Sequence, residues 1–208
     1  MTDQVARFKR LRIYNVVMGL FHAAQGALIL WLATDFTLPV RAYFLTGPPG
    51  APAEADVLFE LSIAWGVAAF VFLSAAAHFI IASPGVFDWY TRNLKLQRNY
   101  ARWIEYSVSS SIMVVLIAAL TGILDIAALI AIFGVNASMI LFGWLMEKYE
   151  QPGKPDWTAF IFGCIAGIFP WIAIADYLWG PGASDMTPSF VYWIFVSMFV
   201  FFNSFAIN

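Results

Sequence analysis

Three ionisable side chains stand inside long apolar runs of this sequence: His22, His78 and Glu105. A charge placed in hydrocarbon costs about 2.5–3.5 kcal/mol on insertion scales, so each of them needs a reason. A carboxylate and two imidazoles can hold a buried cation, pass a proton, or together ligate a metal. Their neighbours at helical offsets are polar as well. Gln25 follows His22 by three residues, Ser74 precedes His78 by four, and Asn99, Arg102, Tyr106 and Ser109 surround Glu105. Residues three and four apart share a helix face. Three segments thus offer a His/Gln, a Ser/His and an Asn/Glu/Ser face that can meet in one polar cavity. The metal reading is the weaker one, because no two ligands come from one helix at i,i+4 spacing. Interhelical hydrogen bonding is the bland use of such residues and suits the serines best; Glu105 with two histidines in one layer favours a functional site. Arg102 either pairs with Glu105 across one turn or extends its head to the interface. In the second case Glu105 still wants a cation inside the bundle.

The elements that must position these groups follow from composition. Of 208 residues, 62% are apolar and 12% charged, against about 25% charged in soluble domains. A bilayer core needs about 20 consecutive apolar residues per helix. Six such runs occur, at 13–34, 57–82, 99–120, 123–145, 157–178 and 189–207. They predict an all-α, polytopic membrane helical bundle forming a single transmembrane domain over 1–208. The runs are continuous rather than alternating, which argues against a membrane barrel. The first is too long for the apolar part of a signal peptide. Net charge, −2, says little, but its distribution says more. Ten of the eleven cations, from Arg7, Lys9, Arg10 and Arg12 through Arg92, Lys95, Arg98 and Arg102 to Lys148 and Lys154, fall on one side; only Arg41 falls on the other. By the positive-inside rule that side, with the N-terminus, is cytoplasmic, in a multi-pass protein of the cell membrane. The bilayer is then a partner in its own right, with basic residues against anionic lipid.

Depth can be read from the same runs. The first enters from inside near Ile13, which puts His22 about 13 Å in at 1.5 Å per residue. The second returns, which puts His78 one turn from its inner end, and the third starts inside, which puts Glu105 in the inner half. The outer connection, 35–56, carries the β-forming stretch "TLPVRAYFL" and the turn signal "GPPG"; it reads equally as a small hairpin over the outer surface or as irregular loop. "TGILD" is so short that the third and fourth runs must be antiparallel neighbours. "EKYEQPGKPD" reads as a polar inner connection, and "WGPGASDMTP" closes the fifth run outside. Glu60, Asp125 and Asp176 lie near outer ends, where interfacial water solvates them. The single cysteine, Cys164, excludes an internal disulfide. No P-loop, HEXXH, CXXC or GXSXG pattern is present, and nothing points to an enzyme or to nucleic-acid binding.

Several stretches resemble one family. "RWIEYSVSSS" (Arg102–Ser111), "AIFGVNASMILFGWLMEKY" (Ala131–Tyr149), "FGCIAGIFPWI" (Phe162–Ile172), "FFNSFA" (Phe201–Ala206), "GLFHAAQ", "AAHFI" and "TGPPG" look like heliorhodopsin. This retinal-binding family is distantly related to the microbial rhodopsins and has the opposite membrane orientation. The resemblance spans all six runs. It implies a light-sensing photoreceptor without ion transport, in a seven-helix bundle carrying all-trans retinal as a protonated Schiff base on a seventh-helix lysine. Six helices are expected up to Asn208, and none of the four lysines, Lys9, Lys95, Lys148 and Lys154, lies in a span; retinal is therefore expected to be held covalently only if a seventh-helix lysine exists beyond Asn208. By resemblance Glu105 is the counterion, and His22, Gln25, Ser74, His78, Asn99, Tyr106 and Ser109 form the water-holding cavity around it. By resemblance Met139, Ile140 and Gly143, then Phe162, Pro170 and Trp171, then Phe202 line the chromophore slot. The family further implies a homodimer that meets through the fourth and fifth helices and the first outer connection, and signalling to an unknown partner. Gly134, Ala137 and Ser138 allow close helix approach there, or equally within one chain. Two other functions use the same residues: a proton-coupled transporter or channel, and a retinal-independent membrane scaffold. The outer halves, 23–32, 62–70 and 112–120, hold no ionisable residue, which argues against a proton path.

Overall fold

The computed structural model describes residues 2–151, 153–183 and 187–207; Pro152 and 184–186, which fall in two of the connections read above, lie outside the described residues. Along the chain come α1 (Thr2–Trp31), β1 (Thr37–Leu45), β2 (Ala53–Ser62), α2 (Ile63–Ala82), α3 (Val86–Lys95), α4 (Tyr100–Leu120), α5 (Ile126–Tyr149), α6 (Thr158–Trp179) and α7 (Ser189–Ile207). Five helices, α1, α2, α4, α5 and α6, are long and apolar enough to cross a membrane; the sixth apolar run is the shorter helix α7. The molecule is thus a helical membrane bundle. α1 packs on α2, α2 on α4, α4 on α5 and α5 on α6, while α7 leans on α4. Phe21, Leu28, Ile130, Ile165, Ile172 and Trp193 are more than half exposed, as suits a surface that faces hydrocarbon rather than water.

Four boundaries differ from the sequence expectation. The first helix begins at Thr2 rather than near Ile13, so the basic segment continues the span as helix. The second begins at Ile63 rather than Val57, because 57–62 pair with β1 in an antiparallel hairpin. Ser62 then caps α2 by accepting from the Trp65 N–H at 3.4 Å. Residues 86–95, which lie between the second and third expected runs, form the amphipathic helix α3, with Asp88 in its first turn and Arg92 and Lys95 in its last, as the helix dipole favours. The fourth membrane helix runs on to Tyr149, which brings Glu147 and Lys148 out of the expected polar connection and into a last helical turn.

The hairpin is more than a surface ornament. The "GPPG" turn closes it, with Gly50 at φ 97° and the Ala51 N–H donating to the Pro48 carbonyl at 2.9 Å. A bulge between Val40 and Arg41 bends β1 over the α4–α5 turn, where the Arg41 N–H donates to the Leu124 carbonyl at 2.9 Å. Val40 is thereby fully buried among Val114, Ile117 and Ala118 of α4, Leu129 of α5, Ile174 and Leu178 of α6 and Val191 of α7. Asp125, expected in solvent, caps α5 by accepting from the Ala128 N–H at 3.0 Å.

At the opposite, basic end the seams close by small-to-large fits. A Cβ on Gly143 of α5 would collide with the indole of Trp103 on α4, and one on Gly167 of α6 with the thioether of Met139. Without a hydrophobic drive between helices in lipid, such close packing is what holds neighbours together.

Candidate functional site

A turn at the end of α3 sets up the site. Gln97 is left-handed, with φ 59°. The Arg98 N–H donates to the Asn93 carbonyl at 3.0 Å and the Gln97 N–H to the Leu94 carbonyl at 3.0 Å, a Schellman ending that normally uses glycine. The chain reverses there, and Asn99 caps α4 by accepting from the Arg102 N–H at 3.2 Å. Glu147 of α5 completes the clamp: one oxygen accepts from the Asn99 N–H at 2.7 Å, the other from the Arg102 guanidinium at 3.2 Å. Arg102 also lies over the Trp103 ring at 4.6 Å. The sequence offered Arg102 a choice of Glu105 or the interface; the geometry gives it Glu147, on another helix.

One turn further, Glu105 opens onto a cavity of 420 Å³ between α1, α2 and α4. Ser74 of α2 donates to its carboxylate at 2.6 Å. His22 and His78 stack, with ring centroids 5.5 Å apart and planes 17° from parallel. The His22 Nδ1 sits 2.9 Å from the Gln25 amide oxygen, and the His78 Nδ1 sits 2.8 Å from the Asn15 amide oxygen. Amide oxygens only accept, so in these pairs each Nδ1 is the donor. The orientation of Asn15 is fixed by its own amide, which donates to the Leu11 carbonyl at 2.9 Å.

Of the residues read from the sequence, His22, Ser74, His78, Asn99, Glu105, Tyr106 and Ser109 all line this cavity, and Gln25 joins through His22. Asn15 and Tyr90 are among the lining residues that escaped notice. Asn15 lies seven residues before His22, two turns along one face, and that spacing was the available signal. Tyr90 sits on α3, which was not read as a helix. Its burial pushes the phenol up from its ordinary value, against smaller opposing effects of a hydrogen bond with Asn99 and the nearby Arg102 charge. Among the described residues no three His, Cys, Asp or Glu side chains gather in a metal-binding group.

The residues read as a slot divide between two places. Trp171 is buried, with Phe195, Phe199 and Phe202 edge-on to it at 5.6, 5.4 and 5.4 Å, and Pro170 is buried beside it. Ile140 is buried on α5. Met139 and Gly143 fill the α5 seams with α6 and α4, respectively. Phe162 is 53% exposed on α6 and meets Phe142 edge-on at 6.3 Å, away from the Trp171 cluster. Met113 belongs to both regions: it lines the Glu105 cavity and packs on the core that holds Trp171. Close by, the buried Asn136 amide donates to the Ser110 and Ser111 hydroxyls at 3.0 Å each, while its oxygen has no hydrogen-bond partner among the described residues.

A family model described as Heliorhodopsin matches residues 11–208 of the chain. Comparison with curated proteins gives no match.

Proposed function

Because the chain belongs to the heliorhodopsin family, the retinal-binding, rhodopsin-like photoreceptors, we propose that it senses light through a retinal Schiff base paired with Glu105 and moves no ions. The observation that carries this reading is the carboxylate of Glu105, which accepts from the Ser74 hydroxyl at the edge of a cavity shared with two histidines. The residues fit the group. A half-buried carboxylate answers a cation, Met113 links it to apolar core, and Trp171 with its aromatic neighbours supplies flat walls for a polyene. Retinal, bound as a protonated Schiff base, would supply an isomerisable positive charge.

The chain's own groups then have separate tasks. Glu105 balances the charge, and Ser74 orients the carboxylate. The Nδ1–H groups of His22 and His78 are committed to Gln25 and Asn15, which leaves each Nε2 as a hydrogen-bond acceptor. Tyr90, Asn99 and Tyr106 add polar groups for water. The Glu147 clamp keeps the Arg102 guanidinium engaged with α5. Absence of transport is supported by the core under the hairpin, where Val40 packs among buried residues that are all apolar. The basic end faces the cytoplasm by the distribution of cations. The exposed small-residue stripe of α5, where a Cβ on Gly134 would meet nothing within 4 Å, is free to serve a homodimer.

The test uses the protein from its complete reading frame. Added all-trans retinal is expected to give a visible absorption band, and illuminated vesicles no protonophore-sensitive pH change. A robust pH change would favour the transporter reading, and no visible band would favour a retinal-independent scaffold.

A further inference from the structure

A second cavity, of 640 Å³, opens at the basic end between the N-terminal turns of α1 and the last turn of α3. Its cations are Arg7 and Arg10 of α1 and Lys95 of α3. No carboxylate lines it among the described residues. Three like charges facing one space repel each other, and bringing α3 against α1 gathers them. Gln4 adds one neutral polar side chain, Phe8, Leu11 and Leu94 make apolar walls, and the Lys95 ammonium sits 5.4 Å from the Phe8 ring centroid. Towards the bundle the pocket ends at Tyr14, where an exposed apolar stripe begins and continues through Val17 and Phe21 along the outside of α1.

The occupant that matches both halves is an amphiphile with an anionic head and a hydrocarbon tail. We propose that this pocket is a binding site for an anionic phospholipid. Its phosphate is held by Arg7, Arg10 and Lys95, and one acyl chain runs down the α1 stripe. Guanidinium groups suit phosphate because they can give two parallel hydrogen bonds. Basic pockets at the ends of membrane helices recognise such headgroups, at about 1 kcal/mol per cation near the surface. A free phosphate would use the cations but leave Phe8, Leu11 and Leu94 uncovered. The lipid would bridge α1 to α3, the helix that carries Tyr90 into the Glu105 cavity.

The test is native mass spectrometry and thermal unfolding of delipidated protein with three probes: phosphatidylglycerol, phosphatidylcholine and inorganic phosphate at matched ionic strength. Phosphatidylglycerol is expected to give a single retained adduct and to raise Tm, while the other two do neither. Arg10→Gln and Lys95→Gln, both at exposed positions, should each weaken that binding about fivefold. Lys154→Gln, a cation at the same end but outside the pocket, should leave it unchanged. An equal effect of phosphatidylcholine, an equal effect of phosphate alone, or an equal loss in Lys154→Gln would overturn the proposal.

Discussion

Around Glu105 the helices face one another with hydroxyls, amides and imidazoles across a cavity, whereas further along α4, where Val40 of β1 packs on it, they interlock through branched aliphatic and aromatic side chains. One helix serves both halves. Its serines lie between them and return their hydroxyl hydrogens to their own backbone, Ser107 to Ile104, Ser110 to Tyr106 and Ser111 to Ser107. That leaves their oxygens able to accept, as Ser110 and Ser111 do from Asn136. The contrast teaches a division of labour. Rigidity is concentrated where the hairpin is stitched to α4, α5, α6 and α7, and adaptable polar contacts are concentrated where charge can change.

The largest expected effect falls on the packed half. Trp171→Ala removes the ring that three phenylalanines meet edge-on and should cost about 3–5 kcal/mol, read as a lowered Tm in detergent. A small change would mean that the packed half is not where stability resides. Next comes Glu147→Gln, which takes the charge from a clamp on the backbone of Asn99 and the guanidinium of Arg102. Arg102 is partly exposed, so solvent screens the pair and the loss should be about 1–2 kcal/mol. It should also alter the visible spectrum of the pigment, because the Arg102 guanidinium one turn from Glu105 loses its carboxylate partner on α5. The smallest effect is a gain. Gln97→Gly relieves a left-handed non-glycine residue and should stabilise by about 1 kcal/mol without moving the spectrum. A loss of stability there would mean that the Gln97 side chain has a role of its own.

Much of this was legible in the sequence, and what was missed shares a physical cause. The six apolar runs announced their helices because lipid demands length and continuity. Depth along those runs was enough to bring His22, His78 and Glu105 into one layer. The run 57–62 was misread because a short apolar stretch does not distinguish strand from helix by periodicity; its pairing with β1 is a long-range fact. α3 was missed because ten residues with charges at both ends look like a connection, although Asp88 early and Arg92 and Lys95 late are helix-end signals. Tyr90 went unseen with it. Pairing of Arg102 with Glu147 needed the rotation of α5 against α4, which no single-helix pattern encodes. The same limit explains why Phe162 and Trp171, read as one wall, lie on α6 with only the second in the core.

The central claim is that Glu105 answers the positive charge of the chromophore. Its most direct test is the visible spectrum and acid titration of Glu105→Gln in the complete, retinal-bound protein. The account predicts a marked shift of the absorption band to longer wavelength, or its loss, and disappearance of the acid-induced colour change. An unchanged band with an unchanged acid titration would contradict it.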